Sequence, residues 1–303
     1  MTVAPPGSAD HRRLFGVAYR ILGSVHDAED AVQEGLVRWH RLDQDQRDLV
    51  REPMAWLTRV VSRICLDELG SARARREQYT GIWLPEPLIG TYAGKGSGRE
   101  AMDPADSISL DESVSLALLV AMERLSPGER VSLILHDVFG LSFDDVAEIV
   151  GRTTGSCRQL ASIARRKIGA PPRSASTPSD QKGREGVLTA FLGACMSGDL
   201  ETLVRVLDPS VVSRADGGDH IRAARKAVVG SDLVARYLLG VVGKQRQLTA
   251  TLATTIELVN GRTGIVTRDQ DRIIGVFDLE IVNGRVTEIA IQVNPDKLHV
   301  YAP

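Results

Sequence analysis

Arg158 and Gln159 stand side by side in the segment TGSCRQLASIARRKI, with Ser156 before them and Ser162, Arg165 and Arg166 after. Arginine and glutamine can bond two atoms of one base at once, on guanine and adenine edges respectively. Serine hydroxyls and cations at a helix end bond phosphate oxygens instead. Residues 151–173 carry six basic side chains and no acidic one, whereas residues 101–150 carry two basic and ten acidic. A phosphate-binding surface needs this segregation, which the net charge of −2 conceals. The plainer reading is an ordinary helical hairpin with a solvated basic face.

Other clusters offer other chemistry. HDAEDAVQE brings Asp27, Glu29, Asp30, Gln33 and Glu34 together. Early carboxylates offset a helix dipole, but five polar residues exceed that need. An acidic stripe beside Val32 and Trp39 suits a positively charged partner helix. Arg59 and Arg63 lie four residues apart and share a helix face, and Arg73, Arg75 and Arg76 follow closely. Asp216, Asp219 and His220 could form an acid–base group. The turn chemistry of Asp-Gly-Gly explains the same residues more simply, and no second acid–base partner stands at a recognisable spacing. Cys65, Cys157 and Cys195 are few, far apart and odd in number, which predicts a reducing compartment without a disulfide framework. Cys65 and Cys157 fall where small core residues belong. No His/Cys cluster has metal-ligand spacing, so neither a metal nor a cofactor is expected.

The elements that must position these groups follow from periodicity. Leu14, Val17, Ala18, Ile21 and Leu22 make one apolar helical stripe, and Ser24 precedes the acidic helix. A third helix follows Pro53, with Trp56, Leu57, Val60, Val61 and Ile64 on one face. Gly, Pro and Ser then cluster through residues 81–110, which reads as a linker. Within it, Trp83 is either a local anchor or a docking residue. Residues 111–169 are helical again and end in a helix-turn-helix. Ser142 caps a helix carrying Val146, Ala147, Ile149 and Val150, Gly151 ends it, and the next helix turns Cys157, Leu160, Ala161 and Ala164 inward. APPRSASTPSDQK, at 170–182, reads as a second linker.

Beyond it the period changes. GREGVLTAFLGACMSGDLETLVRVL predicts two short helices, and strands dominate from residue 210. Asn260-Gly261 and Asn283-Gly284 separate pairs of strand-like runs, as two-residue hairpins require. A compact α+β domain with a curved antiparallel sheet is expected. The length of 303 residues suits two or three domains, and 43% hydrophobic residues exclude a wholly disordered chain. No run approaches a membrane span and the N-terminus lacks a secretory pattern, so a cytoplasmic location without membrane contact is expected.

Three long runs in order, HDAEDAVQE at 26–34, PMAWLTRVVSRICLDEL at 53–69 and ERLSPGERVSLILHDVFGLSFDDVAEIVGRTTGSCRQLASIARRKI at 123–168, make the chain resemble sigma factors of the extracytoplasmic-function class. The resemblance covers about residues 8–169. WLPEP at 83–87 and NPDKL at 294–298 resemble the subgroup with a SnoaL-like C-terminal extension. A third subgroup word, DGGGK, stands here as Asp216-Gly217-Gly218-Asp219-His220, departing at its last two positions. The resemblance implies a multidomain fold: sigma domain two (8–80), a linker (81–110), sigma domain four with its helix-turn-helix (111–169), a second linker (170–182) and a SnoaL-like cone (183–303).

It also implies roles. Asp27, Glu29, Asp30, Gln33 and Glu34 would grip the β′ subunit of core RNA polymerase, whose β subunit is a further partner. Arg59, Arg63, Arg73, Arg75 and Arg76 would serve the minus-ten element of promoter DNA. Thr154, Ser156, Arg158, Gln159, Ser162, Arg165 and Arg166 would serve the minus-thirty-five element. Trp83, Leu84, Pro85, Glu86 and Pro87, with Asp216, Gly217, Gly218, Asn294, Pro295, Asp296, Lys297 and Leu298, would make regulatory contacts. The extension would replace a separate anti-sigma factor by touching the sigma domains, and the chain would catalyse nothing. Two rivals remain: a polymerase-independent DNA-binding regulator with a ligand-binding C-terminal domain, and an enzyme fused to a DNA-binding tether. Both leave the acidic helix at 26–34 without a task.

Overall fold

Apolar residues at spacings of three and four make α1 (Ser8–Leu22) a core helix, in which Leu14, Phe15, Ala18, Ile21 and Leu22 are fully buried. The computed structural model of this chain describes residues 8–77, 79, 81–89, 116–168, 178–248 and 251–298. Ser24 accepts the Asp27 N–H at 3.2 Å and starts α2 (Val25–Arg41). The short α3 (Gln44–Leu49), which the periodicity did not announce, is set by a capping box between Asp43 and Gln46. In α4 (Pro53–Glu77), Leu57, Val61, Cys65 and Leu69 recur every fourth residue and are buried. Gly35 admits the close approach of α2 to α4: a Cβ there would lie 2.6 Å from a Val61 methyl. The Trp39 and Trp56 rings meet at 5.3 Å.

A second helical group follows. It comprises α5 (Leu116–Met122), α6 (Pro127–Leu133), a π-helical turn (Ile134–Val138), α7 (Phe143–Val150) and α8 (Thr154–Ile168). Ser126 and Glu129 form the capping box of α6, Ser142 caps α7, and Gly151, at φ +67°, closes α7 in the left-handed conformation. Arg130, 2% exposed, pairs with Glu123.

Beyond it lie α9 (Pro178–Ser197), α10 (Leu200–Val206), β1 (Leu207–Asp216), β2 (Val228–Val229), α11 (Ser231–Leu248), β3 (Leu252–Val259), β4 (Arg262–Asp269), β5 (Arg272–Val282) and β6 (Arg285–Gln292). The sheet order is β2-β1-β6-β5-β4-β3. Both Asn-Gly pairs form the expected hairpins, with φ of +52° and +76° at 260–261 and +52° and +74° at 283–284. The meander β3–β6 is antiparallel, but β1 joins β6 in parallel, so the sheet is mixed. Leu207, Val211, Ala215, Ile265, Leu279, Ile289 and Ile291 face Leu188, Phe191, Val234 and Leu238 of the helices in one core.

Two departures from the sequence reading concern helices. Helix α9 begins at Pro178, inside the span expected to be linker, and α11 interrupts a region expected to be strand. The remaining expected linker residues, 90–110 and 170–177, lie outside the described residues.

The chain divides into two compact units. One holds α1–α4, α5 from Leu118 onward, and α6–α8; the other holds the described residues of 79–89, Leu116–Ala117 and everything from α9 onward.

Candidate nucleic-acid interface and linker dock

In the first unit, α8 presents Gly155, Arg158, Gln159, Ser162, Arg165 and Arg166 to solvent, while Cys157, Ala161 and Ala164 are buried. The period of 3.6 thus sorts the helix into a core stripe and a polar face, as read from the sequence. Three of the sequence-predicted residues also have protein partners. Thr154 donates its hydroxyl to Asp144 at 2.7 Å, tying the start of α8 to the start of α7. Arg165 makes a two-pronged bond to Asp137, at 2.7 and 2.5 Å. The Arg158 guanidinium lies 5.7 Å from the centre of the Phe143 ring. Ser156 is half-buried in the first turn, its N–H bonded to the Thr153 hydroxyl. Lys167 reaches back to both oxygens of Glu129 at 2.8 Å. Burial works against ionisation of Glu129, yet these bonds and those from Ser126 hold its carboxyl below the usual range.

The acidic helix keeps Asp30 and Gln33 exposed and Asp27, Glu29 and Glu34 half-exposed. Val32 and Trp39, expected beside an exposed acidic stripe, are instead 0% and 3% exposed and belong to the helical core. The apolar member of the outer face is Val37, 41% exposed. It follows Asp30, Gln33 and Glu34 at spacings of seven, four and three, a signal available in the sequence.

Arg59 and Arg63 do share a face of α4, and that face meets α7. Arg59 pairs with Asp145 at 3.2 Å and with Glu148 at 3.3 Å, and Arg63 donates to the Ile149 carbonyl at 2.7 Å. Arg73, Arg75 and Arg76 fall in the last turns of α4, and their side chains lie outside the described residues.

In the second unit, the segment carrying WLPEP is bonded to the ends of β1 and β6 and to the turn that follows β6. Asp216, fully buried, is its socket. The carboxylate accepts from the Leu84 N–H at 2.8 Å, Lys297 Nζ at 2.8 Å, the Tyr79 hydroxyl at 2.5 Å, the Gly218 N–H at 3.0 Å and Gln292 Nε2 at 3.3 Å. Lys297 also donates to the Leu84 carbonyl at 2.8 Å, and its ammonium lies 4.8 and 4.3 Å from the centres of the Tyr79 and Trp83 rings. Trp83 therefore docks rather than anchors locally. Burial and the Asp216 carboxylate push the Tyr79 hydroxyl well above its ordinary pKa. Farther along, Asn260 and Leu88 exchange two bonds of 2.8 Å. Leu84, Pro85, Pro87 and Leu88 are buried and Glu86 is half-exposed.

The glycines of ADGGD have a packing role. A Cβ on Gly217 would lie 2.1 Å from the Ile221 carbonyl, and one on Gly218, at φ +57°, would lie 2.7 Å from the Asn294 amide. Asn294 donates to the Tyr79 hydroxyl at 2.9 Å and accepts from the Asp296 N–H at 3.1 Å, so it caps the short turn Pro295–Lys297 that aims Lys297. Leu298 is also buried. His220, where the subgroup word has lysine, contacts Asp296 at 3.0 Å. Asp216 is thus occupied by five donors, while His220 pairs with Asp296.

Sequence reasoning missed Tyr79, Asn260 and Gln292. Asn260 was visible only as a turn residue. The half-buried Arg184 of α9, which bonds the Thr263 carbonyl at 2.8 Å and Asp278 at 3.3 Å, was missed as well. Burial pushes its guanidinium down to about 10. Asp278 also accepts the Leu116 N–H at 2.9 Å. Cys65, Cys157 and Cys195 are buried free thiols. Among the described residues, no group of three His, Cys, Asp or Glu side chains could hold a metal, and no helix is long and apolar enough to cross a membrane.

Residues 8–75 match the family model Sigma-70 region 2, and residues 115–168 match Sigma-70, region 4. The ECF RNA polymerase sigma factor SigJ of Mycobacterium tuberculosis is 39% identical over 94% of this chain and 90% of its own. This chain belongs to the ECF RNA polymerase sigma factors. The probable ECF sigma factor SigI of the same species is 37% identical over 94% of the chain and 91% of its own. The crystal structure of Mycobacterium tuberculosis SigJ superposes with a TM-score of 0.72 at 35% identity, covering 95% of both chains. As an ECF sigma factor with two helical sigma regions and a C-terminal α+β domain built on a mixed sheet, it directs promoter-dependent transcription initiation with core RNA polymerase. The polymerase-independent regulator is not favoured.

Proposed function

We propose that this sigma factor reads a promoter through two separate surfaces while its own C-terminal cone tunes output by holding the linker between them. Asp27, Glu29, Asp30, Gln33 and Glu34 of α2, with Val37, contact the β′ subunit. Carboxylates around a small apolar residue complement a basic helix. Arg59, Arg63, Arg73, Arg75 and Arg76 track the minus-ten backbone. Arg158 and Gln159 reach base edges of the minus-thirty-five element, Ser156, Ser162, Arg165 and Arg166 hold its phosphates, and Thr154, whose hydroxyl stays on Asp144, approaches them through its backbone N–H at the helix start. For Arg59 and Arg63 to reach DNA, α4 must part from α7. The protein catalyses no reaction of its own, and the cone takes the place of a separate anti-sigma protein.

The observation that carries the regulatory part is the Asp216–Lys297 clamp on the WLPEP segment, an ion pair 0% and 9% exposed at its two side chains. A buried pair that loses one partner leaves an uncompensated charge, at a cost of about 3–5 kcal/mol. Lys297→Met therefore unseats the linker. Run-off transcription with core polymerase tests this: promoter output changes relative to wild type while the melting of the two sigma regions does not. Unchanged output from a variant with a demonstrably released linker would refute regulation through the clamp.

A further inference from the structure

Arg158 does not stand free above its helix. Its guanidinium lies over the Phe143 ring at 5.7 Å, and the His136 ring stacks on the same phenyl group at 3.8 Å between centroids and 26° between planes. His136 is fixed in turn, because its Nδ1 lies 2.8 Å from the Leu141 carbonyl. Phe143 is the first residue of α7, where the Ser142 cap sets the backbone. The Thr154–Asp144 bond holds the start of α8 against the same end of α7. The shelf and the helix that carries Arg158 are thus locked to one another.

We propose that Phe143 is a positioning residue for base readout, holding the Arg158 fork in place without itself touching DNA. An arginine on a flexible stem loses rotamer freedom when it bonds a base edge with both prongs, and an aromatic face that already restricts the guanidinium reduces that loss. The function of the shelf is to convert a general cation into one aimed at a single base pair. The proposal rests on the reading of Arg158 as a base-contacting residue.

The test uses full-length protein reconstituted with core polymerase and a library of promoters randomised across the minus-thirty-five element. Sequencing the transcripts gives the base preference at each position. Arg158→Ala abolishes the preference at one position. Phe143→Leu, which keeps the apolar bulk but loses the aromatic face, weakens the preference at that same position about tenfold and leaves the others intact. Phe143→Tyr restores it. Loss of preference at every position with Phe143→Leu, or none lost while Arg158→Ala has its effect, would refute the shelf alone. Intact preferences with Arg158→Ala would refute the base-contact reading, and the shelf proposal with it.

Discussion

At the scale of single residues, the linker dock depends on atoms that leave no room. Gly218 sits at a positive φ with the Asn294 amide where a methyl group would go. Gly218→Ala therefore both strains the backbone and displaces the residue that aims Lys297, at a cost of roughly 1–3 kcal/mol. Hydrogen exchange at the Leu84 amide, whose N–H rests on Asp216, reads this directly: exchange accelerates by roughly five- to 150-fold in the variant. An unchanged rate would show that the glycine is dispensable to the dock. ADGGDH and NPDKL were legible in the sequence as contact words, but their mutual geometry was not. Asp216 and Lys297 are separated by 81 positions, and nothing local ties a carboxylate on one strand to an ammonium beyond another. Tyr79 and Gln292 carry no motif at all and become visible only when β1 and β6 are paired.

At the scale of elements, the contact between α4 and α7 sets a measurable threshold. Glu148 is one of two carboxylates holding Arg59, and both side chains are partly exposed, so the pair contributes only about 0.2–1 kcal/mol. Glu148→Gln should raise the affinity of the free protein for a fluorescent single-stranded oligonucleotide carrying its minus-ten sequence by roughly two- to fivefold, measured by anisotropy. A weakened or unaltered affinity would argue that the contact does not compete with DNA. Glu129 gives a pH prediction. Its folded-state pKa is depressed, so its stabilisation is present above the unfolded value and is lost as pH falls through the folded one. Thermal melting should show Glu129→Gln less stable than wild type near neutrality, by about 1 kcal/mol because Lys167 is half exposed, with the gap closing in acid. A gap that persists in acid would assign the effect to packing.

The same scale explains what the sequence hid. Val234, Ala235 and Leu238 of α11 are buried with helical spacing, but Gly240 and Gly243 interrupt the run and strand-like segments surround it. The parallel pairing of β1 with β6 left no signal, because hairpin turns announce antiparallel neighbours only. Caps, by contrast, were plain: Ser24, Ser142 and Gly151 all act where their residue types and neighbours placed them.

At the scale of the whole molecule, charge segregation was more informative than net charge. The acid-free stretch from 151 to 173 includes α8, and the acidic run before it includes Glu123, Glu129, Asp137, Asp144 and Asp145, which pair with Arg130, Lys167, Arg165, Thr154 and Arg59. Part of the acidity that seemed to oppose DNA binding thus orders the side chains around the basic helix. The family follows from the three long words and their order; the linker's place on the sheet did not, since Leu84 precedes Asp216 by 132 positions and Lys297 by 213.

That order has a consequence for a chain still on the ribosome. The linker is made long before β6 and the turn that clamps it, so both sigma regions emerge and can fold while their tether has nowhere to rest. At ordinary synthesis speeds the interval is roughly ten to forty seconds, during which every newborn molecule passes through an unrestrained state that the finished protein has left behind.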